Sequence, residues 1–123
     1  MDRDGGSAKG LRTILNRLRE GRAIMMFPEG TRSPDGTQQP ARGGIGLLIA
    51  KSDAPVIPVR VFGTFEAFGR HQFFPRPWRV GVKFGAPRNF KKLRAEAANC
   101  TPNRRREIYG QLSQELMSAI SGL

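Results

Sequence analysis

The chain has 123 residues, of which 38% are apolar, and its 21 Lys and Arg against 10 Asp and Glu give a formal net charge of +11. This length predicts one domain with a modest core. The positive charge predicts an anionic partner, which composition leaves open as nucleic acid, a membrane surface or a phosphorylated substrate. A single Cys and a single His exclude an internal disulfide and a Cys/His zinc site.

The composition also bears on location. No apolar run approaches the roughly 20 residues that a spanning helix needs. The N-terminal residues lack the apolar segment of a signal peptide. A lone Cys100 supports a reducing compartment. We therefore expect a soluble or peripheral protein in the cytoplasm.

The sequence of the first third of the chain predicts a loop, a helix and a strand. Residues 2–6 are typical of a loop that leaves a strand. The apolar side chains of Leu11–Leu18 follow helical spacing, and Gly21 is a typical residue to end that helix. The continuous apolar run Ala23–Phe27 predicts a strand buried on both faces, ended by Pro28.

The rest of the chain predicts two more helices and two more strands. The apolar content of residues 43–52 predicts a helix, and Val56–Phe62 predicts a second buried strand. Pro58 cannot donate to a ladder and therefore requires an edge, a bulge or a strand end. Arg79–Phe84 alternates as a half-exposed strand does, and residues 103–120 predict a terminal helix. The fold class is therefore α/β.

The segment Phe27–Ser33 is the strongest candidate for a site. A carboxylate, a glycine, a hydroxyl and a guanidinium follow directly on the predicted strand, at the edge where ligands bind in open α/β folds. Gly30 allows close approach of a ligand to the backbone, and Arg32 can bind a phosphate or carboxylate through two donors. A solvated loop of ordinary polar residues is the alternative.

Other basic and aromatic residues favour structural interpretations. Arg42 and Lys51 are expected to be solvated, and His71 is expected to be a surface histidine because no acid follows it at a useful interval. The segment Arg70–Arg79 could stack bases or lie at a membrane interface, but we favour a loop packed on the core edge. Arg104–Arg106 is expected to be solvated.

Three short segments carry a resemblance to a known family. Phe27–Ser33, with Pro34–Gly36 after it, resembles the third sequence block of the glycerolipid acyltransferases. Val56–Val59 is similar to the fourth block, and Asp2–Asp4 is similar to the end of the second. The resemblance implies that residues 1–123 form the C-terminal portion of such a domain, with a mixed sheet flanked by helices.

The family transfers a fatty acyl group from acyl-CoA or acyl carrier protein to the free hydroxyl of lysophosphatidate or a related lysolipid. The resemblance implies that Arg3 and Arg32 bind the glycerol phosphate and that Glu29 and Gly30 orient the glycerol. Pro58 would shape the acyl pocket. The hydroxyl residue of the third block, Thr31, belongs to the same substrate-binding set. The thioester donor is the only further group implied, with no metal and no cofactor, and the basic surface would contact anionic lipid at the cytoplasmic face.

One departure from the family pattern limits the expected activity. The family's first block is an H-x-x-x-x-D motif whose histidine acts as general base, whereas here His71 is followed at the fifth position by Arg76. We therefore expect a fragment of the domain, inactive alone. The alternatives are a non-catalytic module that binds phospholipid or another anion and, with no recognisable nucleic-acid motif to support it, a nucleic-acid-binding domain.

Overall fold

The computed structural model describes residues 3–69 and 73–123, with the side chains of residues 3–7 left out of the description. The interpretations of Asp2, His71 and the Arg3 side chain therefore fall outside the described part. The elements in chain order are α1 (Arg3–Arg19), α2 (Ile45–Lys51), β1 (Val59–Phe62), α3 (Thr64–Phe68), β2 (Gly81–Phe84), α4 (Lys91–Ala98) and α5 (Pro102–Ser121).

The core forms around the apolar face of α5. Ile108, Leu112 and Leu116 recur at helical spacing, and all three are buried. They pack with Ile49 of α2 and Ala97 of α4. The helix begins at Pro102, and the Thr101 hydroxyl caps it by accepting a hydrogen bond from the Arg104 N–H at 3.3 Å. Three helices thus share one small core.

The sheet consists of β1 and β2, paired antiparallel with Val59 opposite Phe84 and Phe62 opposite Gly81. Pro58 lies just before β1, as its missing N–H requires, and its carbonyl accepts a hydrogen bond from the Gly85 N–H at 2.8 Å. The prediction that Pro58 is no ordinary ladder position is confirmed. With helices beside a small sheet, the chain has the expected α/β class.

Basic side chains of the sheet bind the end of α5. Arg60 and Lys83 are directly opposite each other in the two strands. The Arg60 guanidinium donates to the Ser121 carbonyl at 2.7 Å, and Lys83 Nζ donates to the Leu123 carbonyl at 3.0 Å. Cations at a helix C-terminus are favourable because the carbonyls there carry partial negative charge. These contacts attach the sheet to the helical core.

The buried strand predicted over Val56–Phe62 is only partly correct. The strand begins at Val59, and Val61 and Phe62 are 40% and 41% exposed, because the sheet found among the described residues has only two strands.

Two predictions for the first third of the chain are wrong. The segment 23–27 forms no strand, and Met25 and Phe27 are 85% and 73% exposed. A buried strand needs a hydrogen-bonded neighbour and a covering layer, and the sheet found among the described residues contains only β1 and β2. The loop predicted over residues 2–6 is also wrong where it is described, because α1 begins at Arg3.

No helix within residues 3–69 and 73–123 has both the length and the apolarity required to cross a bilayer. The longest described helix is α5, with 20 residues. Its first turns carry charged side chains, among them Arg104, Arg105 and Arg106.

The packing of α2 on α5 gives a direct test of the core. Gly46 of α2 is buried, and a Cβ atom there would lie 2.0 Å from the Tyr109 carbonyl oxygen. We predict that Gly46→Ala lowers the free energy of unfolding by about 1–3 kcal/mol, because the helices must separate. Urea unfolding followed by circular dichroism measures this change.

The matched control is Gly110→Ala on α5, where an added Cβ meets nothing within 4 Å. This substitution should raise stability by up to about 1 kcal/mol, because alanine is the better helix former. Equal effects of the two substitutions would contradict the close contact between α2 and α5.

Candidate functional site

The candidate segment Phe27–Ser33 begins with a tight turn. The Gly30 N–H donates to the Phe27 carbonyl at 3.0 Å, and Gly30 has a φ of +67°. This left-handed conformation favours glycine because a side chain would be strained there. The Pro28 carbonyl accepts a hydrogen bond from the Arg42 N–H at 2.8 Å. The turn is therefore paired with residue 42, which closes the intervening residues into one loop.

The Arg42 side chain supports this turn. Its Nε donates to the Glu29 carbonyl at 3.2 Å, and a Cβ at Gly30 would lie 2.7 Å from Arg42 Cδ. Glycine is thus favoured at position 30 by its backbone angle, and a larger residue would also displace the Arg42 side chain from its place beside the turn. The expectation that Arg42 is merely solvated missed this role. No local signal could have revealed it, because the contact depends on closure of the loop.

The Glu29 carboxylate also holds the loop. Its Oε2 accepts a hydrogen bond of 2.6 Å from the Gln39 N–H, in a part-buried position. A hydrogen bond to an ionised carboxylate is stronger than one between neutral groups. Glu29, at the start of the loop, therefore holds the backbone at Gln39, near its end. The resemblance did not imply this role.

A second turn lies within the loop at Pro34–Gly36. Asp35 Oδ1 accepts hydrogen bonds from the Thr37 hydroxyl at 2.6 Å, the Thr37 N–H at 3.0 Å and the Ser33 hydroxyl at 3.1 Å. These donors, led by the Thr37 hydroxyl, lower the pKa of Asp35 because they stabilise its charged form. The predicted turn is present, and its own side chains rigidify it.

Helix α3 lies against the outer part of the loop. A Cβ at Gly36 would lie 3.1 Å from Cδ1 of Phe65. The Arg32 guanidinium lies 5.6 Å from the centre of the Phe68 ring, within the range of a cation–π contact. Arg32 itself is exposed. The Arg32 guanidinium is therefore open to solvent, and its contact with the Phe68 ring helps to hold it in place.

The structure brings some of the predicted site residues together and leaves others apart. Glu29, Gly30, Thr31 and Arg32 lie on the closed loop, with Thr31 exposed. Pro58 is buried at the start of β1, and none of the hydrogen bonds found among the described residues joins it to that loop. Within residues 3–69 and 73–123, no three His, Cys, Asp or Glu side chains are placed to hold a metal ion. One exposed group on the loop that can make strong polar contacts is the Arg32 guanidinium, a side chain whose geometry suits a phosphate or a carboxylate.

Comparison with known proteins identifies the segment that carries this loop. Residues 1–62, half of the chain, match the family described as Acyltransferase. A 1-acyl-sn-glycerol-3-phosphate acyltransferase of Limnanthes alba is 39% identical over 67 residues, which cover 54% of this chain and 24% of that protein. The chloroplastic enzyme BAT2 of Brassica napus, of the same name, is 37% identical over 54 residues, or 44% of this chain and 16% of that protein.

A solved structure extends the comparison beyond residue 62. The 1-acyl-sn-glycerophosphate (LPA) acyltransferase PlsC from Thermotoga maritima superposes with a TM-score of 0.63 and 25% identity, covering 88% of this chain and 44% of that one. The chain thus spans less than half the length of these relatives. Its matched segment and its fold agree: the chain belongs to the Acyltransferase family and, within it, to the glycerolipid acyltransferases.

Proposed function

We propose that this chain forms the acceptor-phosphate-binding part of a lysophosphatidate acyltransferase of phospholipid biosynthesis. The reaction moves a fatty acyl group from acyl-CoA or an acyl carrier protein thioester to the free hydroxyl of lysophosphatidate or a related lysolipid. The observation that carries the proposal is the closed loop 27–42, which presents the exposed Arg32 guanidinium. Family membership supplies the class of reaction.

Each loop residue has a part in this proposal. Arg32 binds the acceptor phosphate through parallel hydrogen bonds, and the Thr31 hydroxyl donates to the same group. Gly30 and Glu29 shape the turn that holds these two residues, as their contacts with Arg42 and Gln39 indicate. Outside the loop, we assign phosphate binding to Arg3 and shaping of the acyl pocket to Pro58 from family resemblance alone.

Acyl transfer also needs a base that this sequence does not provide in the family pattern. The acceptor oxygen attacks the thioester carbonyl carbon, the C–S bond breaks, and the hydroxyl proton must leave for a base. The single histidine, His71, has Arg76 rather than an aspartate five positions later. We therefore propose that the 123 residues bind the acceptor but do not catalyse transfer by themselves.

Phosphate binding is tested by Arg32→Ala. We predict that this substitution weakens binding of glycerol 3-phosphate about 10-fold or more, because a charged hydrogen bond contributes roughly 1.5–3 kcal/mol. Titration followed by NMR measures the affinity. Arg12→Ala is the control, since Arg12 is an exposed arginine on α1 and its loss changes the net charge equally. Equal weakening by both variants would reduce the site to non-specific attraction.

The catalytic proposal is tested by acyl transfer itself. We predict that the purified chain releases no thiol from acyl-CoA in the presence of lysophosphatidate and forms no phosphatidate, measured by thiol titration and mass spectrometry. The control is a full-length relative such as the Thermotoga enzyme under the same conditions. Product formed by the 123-residue chain would show that another of its groups acts as the base. Phosphate binding without transfer also agrees with a non-catalytic anion-binding module.

We further propose that the chain contacts an anionic membrane surface at the cytoplasmic face. Phe73, Phe74 and Trp78 are 93%, 82% and 59% exposed, so the prediction that this segment packs on the core edge is wrong. The exposed residues Arg76 and Arg79 lie between and after these rings. Aromatic rings favour the bilayer interface, and each nearby arginine adds on the order of 1 kcal/mol with anionic lipid. Some plant relatives are described as chloroplastic, so the membrane in question depends on the organism.

This contact is tested with the double variant Phe73→Ala/Phe74→Ala. We predict at least about 100-fold weaker partitioning onto phosphatidylserine-containing vesicles, since burying each of the two Phe side chains contributes roughly 1.5–3 kcal/mol. Vesicle sedimentation measures the partitioning. Met25→Ala serves as the control because Met25 is exposed to a similar degree, 85%. Unchanged partitioning of the double variant would contradict the assignment. Tight binding of short DNA, with no binding to vesicles, would instead favour the nucleic-acid alternative.

A further inference from the structure

One side chain of the loop reaches the far end of the sequence. The Gln38 amide Nε2 donates to the Met117 carbonyl at 3.0 Å, across 79 positions of the chain. The Gln38 Oε1 accepts a hydrogen bond from the Ser121 hydroxyl. Both functional groups of this amide are therefore bound to the last turns of α5. A single glutamine that uses its donor and its acceptor on one helix is fixed in orientation as well as in position.

The residue after Gln38 connects this contact to the candidate site. The Gln39 N–H donates to the Glu29 carboxylate at 2.6 Å, and Glu29 directly precedes Gly30. The hydrogen bond from the Arg42 N–H to Pro28 lies within the same loop. Of these three contacts, the one made by Gln38 joins the loop to the helical core. Through this contact, the connection from the core to Glu29 consists of the Gln38 side chain, the peptide unit that follows it and the Glu29 carboxylate. Arg32 lies three residues after Glu29.

The helix that Gln38 contacts is well held. Ile108 and Leu112 of α5 are fully buried, and the sheet binds its last turn through Arg60. By contrast, the loop 29–42 is mostly exposed, and α3 contacts it through Phe65 and Phe68. A loop with little buried apolar surface has low local stability unless other contacts restrain it. Gln38 provides such a restraint from the most buried helix of the core.

We propose that Gln38 is a positioning residue, which holds the Glu29–Arg32 segment in its anion-binding geometry by anchoring the loop to α5. The proposal rests on the proposed function, because it assigns the loop a phosphate ligand. It extends the site beyond residues 1–62, the segment that the family match covers. Helix α5 would then set the geometry of the site without contacting the ligand.

The test combines ligand affinity with protection of one backbone amide. Gln38→Ala and Ser121→Ala should each weaken glycerol 3-phosphate binding about 3- to 10-fold, the range of one ordinary hydrogen bond. The double variant should be little worse than Gln38→Ala, because both substitutions remove the same contact. Ser121→Thr keeps the hydroxyl and should restore binding. The Gln39 amide should exchange with solvent faster in the weakened variants, as measured by NMR.

The control is Gln114→Ala, an exposed glutamine on α5. It should leave the affinity and the Gln39 exchange unchanged, and the thermal midpoints of all variants should agree with it. Binding by Gln38→Ala as tight as in the parent chain would overturn the proposal, as would additive effects in the double variant. If the parent chain does not bind glycerol 3-phosphate, the proposed function fails and the ligand role of Gln38 fails with it. Faster exchange of Gln39 would in that case support only the structural anchor.

Discussion

Ile108 and Leu112 of α5 are fully buried, and helices α2 and α4, the sheet and the site loop all attach to the helix that carries them. Helices α2 and α4 contribute Ile49 and Ala97 to the same core. Each fully buried side chain of this size contributes roughly 1.5–3 kcal/mol, so a few residues supply much of the stability of a small domain. The sheet attaches to the end of α5 through Arg60, and the site loop attaches through Gln38.

This arrangement explains how a mostly exposed loop keeps a defined shape. The turn at Gly30 is closed by Arg42, the carboxylate of Glu29 binds the opposite backbone, and Asp35 organises the tip. None of these contacts buries much apolar surface. The shortest of their hydrogen bonds, at 2.6 Å, are accepted by the Glu29 and Asp35 carboxylates. The Arg32 guanidinium remains on the outside of the loop. A loop built in this way can bind a charged headgroup without losing much of its own freedom on binding.

Periodicity predicted the parts of the fold that depend on local sequence. The apolar faces of α1 and α5 follow helical spacing, and the position of Pro58 follows from its missing donor. The buried strand expected over 23–27 did not follow, because a continuous apolar run marks a strand only where other strands and helices cover it. The aromatic residues at 73–78 were misjudged for a related reason, since composition alone does not tell a packed ring from an exposed one.

The site divides in the same way. That residues 29–32 belong to the site could be inferred from two sources. These are the types of residue that follow the apolar run 23–27 and the family resemblance. The supporting contacts could not, because Arg42 and Gln38 act across 13 and 79 positions of the chain through a loop that closes only in three dimensions. Such contacts have no local pattern. A sequence can therefore name the residues that meet a ligand more readily than those that hold them in place.

We propose that this loop, rather than the basic surface in general, binds the acceptor phosphate. Mapping backbone amide shifts by NMR during a glycerol 3-phosphate titration tests it most directly. We expect the largest shifts on Gly30, Thr31 and Arg32, with saturation at one equivalent. Shifts spread over the exposed arginines, or centred on Arg104–Arg106, would contradict it.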